Sequence, residues 1–195
     1  MTVVSFLLKE GMQSILIKLD ELNVLIANGF FSSKSKDEWE EDLLDFLIDA
    51  YLLGIGDASQ MMGVDITPDT DKMEQSVFKK IEGKTFADRV REKETVGELQ
   101  RLTESEYHRV YNEAVYDGVR EYADENYKAV YKTWHTQMDD KVRDTHTYLE
   151  GLSLPLGSEF YTYDGDHALY PSGFLNAENN VNCRCWLTYS GSEPF

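Results

Sequence analysis

Cys183 and Cys185 are the only two cysteines in a chain of 195 residues, and a single residue separates them. In a strand that spacing puts both side chains on one face, with Cα atoms about 6.6–6.8 Å apart. A disulfide at that separation sits at its geometric limit, so it would be strained and readily reduced. Two thiolates on one face instead suit a tetrahedral metal such as zinc, which needs two further ligands. His146, His135 and His167 are the candidates, with Asp144 and Asp166 behind them. His146 is the residue grouped with Cys183 and Cys185 as the possible metal set. The alternative is plain burial, since a free Cys commonly behaves as a small apolar side chain. No Cys-x-x-Cys motif supports a redox role.

His146 lies in the run VRDTH, three residues after Arg143. On a short helix that spacing puts the two on a shared face, where they can bind an anion, hold a carboxylate or orient one another. The plainer alternative pairs Arg143 with a nearby acid and His146 with a backbone carbonyl. Asn182, just before the cysteines, can donate and accept at once, which suits a lock on a turn. The chain contains no nucleophile elbow, phosphate loop, His-Glu-x-x-His or paired-carboxylate motif, so its chemistry alone does not indicate an enzyme.

These residues must be positioned by two kinds of structure. Apolar residues recur at steps of three or four from Phe6 to Ile26, the period of an amphipathic helix. A polar joint, Ser32–Lys36, leads to a second helix with acidic first turns and a stripe of Trp39, Leu43, Phe46, Leu47 and Tyr51, ending near Gly54 or Gly56. Thr67 and Pro68 then signal a helix start, with Met73, Val77 and Ile81 on one face and Gly83 as the stop. Thr85 with Asp88, and Thr103 with Glu106, have capping-box spacing, and the second pair opens or lies within a long helix. Up to about residue 130 the chain reads as helical. From Leu152 onward it turns glycine- and tyrosine-rich, with turn signals at Pro155, Gly157, Asp164-Gly165 and Pro171. Short strands are expected over Glu159–Tyr163 and Cys183–Tyr189. The fold class is therefore α+β, mainly helical in its N-terminal two-thirds, with a small C-terminal α+β cap.

Composition narrows the partners. Hydrophobic residues make up 42% and charged residues 28%, the ordinary range of a globular chain. The formal net charge is -17, and each of the stretches 1–83, 84–130 and 131–195 carries more acids than bases. Phosphate neutralisation by Lys and Arg drives nonspecific nucleic-acid binding, so direct DNA binding is not expected of this chain. The apolar run near the start is broken by Lys9 and Glu10 and has no basic lead, so a signal peptide is not expected. No run reaches the roughly 20 apolar residues of a membrane span.

The run TWHTQMDDKVRDTHTYLEGLSLPL, Phe160 after it, and the terminal Asn182-Cys183-Arg184-Cys185 together resemble the phage Mu F-like minor head proteins, also called phage head morphogenesis proteins. The matching positions are Trp134, Asp139, Arg143, His146, Gly151, Asn182, Cys183, Arg184 and Cys185. Upstream, Arg101, Thr103, Glu104, Asn112 and Ala114 are similar to a helix of that family. The resemblance covers about residues 84–189, which gives a domain at 84–195 behind a helical region at 1–83. It implies a low-copy component of the capsid interior or portal vertex, made in the bacterial host cytoplasm and carried in the virion. The implied partners are portal and capsid or scaffold proteins, with no membrane and no cofactor beyond the possible zinc. The chain stops soon after the cysteines, so no fused toxin domain is expected. The motif residues would hold the cap together, with Trp134 buried and Arg143 and His146 bonding across to Asn182–Cys185. A competing reading from another class is a nuclease-like or ADP-ribosyltransferase-like enzyme that uses Arg143 and His146.

Overall fold

The computed structural model describes residues 20, 24, 36–126 and 129–191. The helix expected over Phe6–Ile26 and the joint from Ser32 fall almost wholly outside the described residues, as does the Trp39 side chain. Four helices come first: α1 (Lys36–Met62), α2 (Thr70–Val77), α3 (Phe86–Arg91) and α4 (Val96–Glu125). Leu43, Leu47 and Tyr51 are buried and Phe46 is half-buried, which fits the stripe read from the sequence.

The glycines expected to end α1 do not end it, and the helix continues to Met62. Gly54 serves packing instead. A Cβ there would lie 2.7 Å from the Tyr111 carbonyl oxygen and 2.8 Å from Ala114 Cβ. Further along, a Cβ on Gly118 would lie 2.9 Å from Ala58 Cβ. Glu40 meets Arg91 just ahead of α4, so contacts advance in step along both helices and α1 and α4 run in the same direction. The connecting α2 runs the other way, with Lys72 on Glu121 and Lys79 on Glu113.

Two helix starts differ from expectation. α2 is capped by Asp69 and not by Thr67, because the Asp69 carboxylate accepts from the Asp71 and Lys72 amides. It ends at Val77, so Ile81 lies beyond it in a tight turn whose Glu82 and Gly83 have φ of 52° and 79°. The Thr85–Asp88 capping box is present at α3. Thr103 and Glu106 form none: Thr103 lies inside α4 and donates back to the Leu99 carbonyl, while the box that opens α4 is Thr95 with Glu98.

The remainder is the cap, making the fold α+β as expected. It comprises β1 (Val130–His135), α5 (Asp144–Thr147), β2 (Ser153–Pro155), β3 (Phe160–Tyr161), β4 (His167–Ala168), α6 (Ala177–Asn180) and β5 (Trp186–Gly191). β1 is the centre of an antiparallel sheet of order β2-β1-β5, with Trp134 opposite Leu187. β3 and β4 form a hairpin around Asp164-Gly165, where Gly165 has φ 88°.

β1 begins where the helical reading ends, in chain for which no strand was expected. Its inward residues are Val130, Lys132 and Trp134, and a lysine in that series hides the two-residue period. Lys132 is fully buried, donates to the Leu169 carbonyl at 2.6 Å, and stands 5.0 Å and 5.2 Å from the Tyr116 and Phe160 rings. Burial lowers its pKa to about 8, with Glu159 pulling weakly the other way. One hydrophobic core runs without a break from Leu43 on α1 to Tyr189 on β5. Among the described residues no helix is long and apolar enough to cross a membrane.

Candidate functional site

Cys183 and Cys185 lie just ahead of β5 and not within it, a correction to the strand expected over Cys183–Tyr189. The alternation survives nonetheless: Cys183, Cys185, Leu187 and Tyr189 are all buried, with Arg184, Trp186 and Thr188 less so. Both sulfurs therefore face inward, toward α5. There His146, 1% exposed, presents Nδ1 at 3.8 Å from Cys183 Sγ and 3.6 Å from Cys185 Sγ. All three ligand-type atoms lie within 4.8 Å of one another. Among the described residues no other group of His, Cys, Asp and Glu gathers in this way.

The two thiols act on one another. Hydrogen bonding from Cys185 pulls the Cys183 thiol well below its ordinary range, burial opposing and His146 assisting. The Cys185 thiol is pushed up by the same contact and by burial. The buried Trp134 indole N–H, which has no conventional acceptor, acts on Cys185 in the direction of the thiolate.

Aromatic rings fix the imidazole. His146 stacks on Phe174 with centroids 5.2 Å apart and meets the edge of Trp134 at 5.7 Å. Trp134 is fully buried, also contacts Phe160 at 5.0 Å, and exchanges backbone hydrogen bonds with Gly151 and Leu152. Gly151 has φ 74°, a conformation in which a Cβ is strained.

Arg143 and His146 take different partners, although both border one small cavity. Arg143 is the residue preceding α5 and donates to the Val181 carbonyl, whereas His146 points into the core. Neither of the plainer pairings holds, since Arg143 bonds a carbonyl and not an acid, and the His146 Nδ1 partners are sulfurs. Asn182 has φ 56° and its amide donates to Ser105 Oγ on α4 at 3.2 Å. Arg184 grips the Asp139 carboxylate with two hydrogen bonds of 2.6 Å and 2.8 Å, which hold that carboxyl below its usual range. The other candidate ligands are engaged elsewhere. His135 contacts Glu150 and Thr188, His167 contacts Glu159, Asp166 accepts from the His167, Leu175 and Asn176 amides, and Asp144 is exposed.

The residues of the resemblance from Trp134 to Cys185 thus gather where α5 meets the entry to β5. A family model described as Phage Mu protein F like protein matches residues 70–188, well over half of the chain. The chain belongs to that family. Membership supports a part in phage head morphogenesis. No curated protein and no solved structure matches the chain. The match of the Mu F-like region begins at the first residue of α2, ahead of residue 84, where the resemblance had been read to start.

Of the upstream positions in this Mu F-like chain, Asn112 donates to the His108 carbonyl and Ala114 packs on Gly54. Arg101 is exposed, Glu104 is half-buried, and Thr103 is buried by its back-bond. Sequence reasoning overlooked a second polar centre on α4. Arg109, 4% exposed, donates to Glu106, to Glu113 and to the Ser76 carbonyl. Arg89 completes Glu106, while Ser76, Lys79 and Tyr170 complete Glu113. Burial would raise both carboxyls, but Arg109, with Arg89 at Glu106 and Lys79 at Glu113, holds them below the usual range. The spacing of Glu106, Arg109 and Glu113 at three and four residues was the signal available.

Proposed function

We propose that this chain is a structural component of a phage or prophage head, present in few copies, that joins portal and capsid or scaffold proteins during assembly and remains in the virion. The family match over residues 70–188 carries the reading. The local geometry supports it, because the motif side chains are spent on one another: Arg143 on Val181, Arg184 on Asp139, and His146 between two sulfurs. A net charge of -17 favours protein partners over bare genome contact. Exposed Tyr148, Tyr161 and Tyr163 add a residue type enriched where proteins meet.

The reading of the chain as an enzyme that uses Arg143 and His146 has less support. A general base needs a nitrogen within reach of its substrate, and His146 is only 1% exposed, with Nδ1 against the two cysteine sulfurs. The deciding experiment is a census of purified procapsids and virions by mass spectrometry, with tagged portal protein as bait in a parallel pull-down. The chain should be present in both particles at a few copies and be retained by the portal. Its absence from both particles would overturn the proposal.

A further inference from the structure

The geometry points to a resident zinc ion held by Cys183 Sγ, Cys185 Sγ and His146 Nδ1, with a water molecule as fourth ligand. With metal–sulfur bonds of about 2.3 Å and metal–nitrogen bonds of about 2.0–2.1 Å, tetrahedral angles place sulfur and nitrogen vertices about 3.5 Å apart. The two observed sulfur–nitrogen separations are 3.6 Å and 3.8 Å. Two edges of the triad are therefore within a few tenths of an ångström of a tetrahedral face, and the third, between the sulfurs, is no longer than 4.8 Å.

Hydrogen bonding alone explains this arrangement less well. A neutral imidazole offers one in-plane lone pair at its unprotonated nitrogen, and a protonated nitrogen offers one N–H. Either way Nδ1 serves one sulfur and the other is left to its neighbouring thiol, yet both sulfurs converge on the same Nδ1. A shared ion satisfies both, since each donor atom is then a vertex around it. Charge favours the same answer, because two thiolates around a divalent cation form a neutral unit, which a buried site accommodates far better than a bare anion.

The rest of the site fits an open coordination position. Among the described residues no fourth Cys, His, Asp or Glu joins the triad. A cavity of about 10 Å³ adjoins His146 and Cys185, lined further by Gln137, Arg143, Asn182 and Arg184. That is room for about one water molecule. A set of two sulfurs and one imidazole selects zinc over hard cations such as magnesium or calcium, which prefer oxygen. The ion would tie α5 to the chain entering β5, two segments 37 residues apart in sequence.

The test uses the full chain purified under reducing conditions without chelator. Elemental analysis should find about one zinc per chain. Stripped, reduced protein titrated with cobalt(II) should develop thiolate-to-cobalt charge-transfer absorption and the intense visible bands of tetrahedral cobalt, both saturating at one equivalent. Zinc should reverse both, and zinc removal should lower the thermal midpoint. Cys183→Ser and Cys185→Ser should each diminish the charge-transfer band, and the wild-type titration decides the matter if either variant folds poorly. Zinc-free protein as purified, together with no charge-transfer band on cobalt addition, would overturn the site. X-ray absorption showing a first shell other than two sulfurs and two lighter atoms would overturn this ligand set.

Discussion

At the residue scale, the side chain on which most depends is Arg109. Its guanidinium bridges Glu106 and Glu113 and reaches back to the Ser76 carbonyl, so its loss leaves buried Glu106 to Arg89 alone and takes the buried cation from Glu113. Arg109→Ala should cost about 3–5 kcal/mol, the usual penalty for breaking a buried ion pair from one side. A urea melt that shows a midpoint within experimental error of wild type would contradict this. The inner part of the cluster was legible, because its members sit three and four residues apart on one helix. Its closure was not, because Ser76 and Lys79 come from around α2 and Tyr170 from the cap. The cysteine pair repeats the lesson. That both sulfurs share a face follows from their spacing, but that they meet one imidazole nitrogen depends on where α5 lies.

Two glycines on α1 give opposite forecasts at the scale of elements. Gly56 is exposed with nothing near a would-be Cβ, so Gly56→Ala should raise stability by up to about 1 kcal/mol through helix propensity alone. Gly54→Ala gains the same propensity term but drives a methyl into the backbone of α4, where overpacking costs about 1–3 kcal/mol. The second effect wins, so this variant should melt below wild type while its neighbour melts above it. Equal shifts of one sign would show that the α1–α4 contact is looser than described. The same contact explains why the end of α1 was misplaced. A glycine ends a helix when it takes positive φ at the C-terminus, and nothing local tells that role from a close helix crossing. β1 was missed for a related reason, since burial of Lys132 depends on rings from α4 and β3 that no local window contains.

For the whole molecule, acidity is the dominant variable. Asp117 on α4 is the acid most out of place: burial, then the adjacent Glu113, raise its pKa to about 6, against weaker help from Lys72, Arg120 and Lys79. Its charged form is the one the fold disfavours. The penalty is therefore fully present above about pH 6, is relieved as pH falls through the window down to the ordinary 3.8, and vanishes below it. Asp117→Asn should stabilise the protein by about 1–2 kcal/mol at pH 7.5 after allowance for solvent screening, and the advantage should be gone near pH 4. Paired thermal melts across that range check the slope, and an advantage that grows toward acid pH would refute the assignment. Carboxyls held low, such as Glu106 and Asp166, act in the opposite direction, and the stability they contribute is lost only as pH falls below the ordinary carboxylate range.

The sheet order has a temporal consequence as well as a spatial one. β1 is flanked by β2, which follows it closely, and by β5, which is separated from it by the remainder of the cap. During synthesis the helices can dock on one another as they leave the ribosome, but β1 keeps one bare edge until residues 186–191 have been translated. An unpaired strand edge is a template for wrong partners. The nascent cap is thus open to mispairing for most of the time it takes to be made, and the strand directly after the cysteines is the one that ends this exposure.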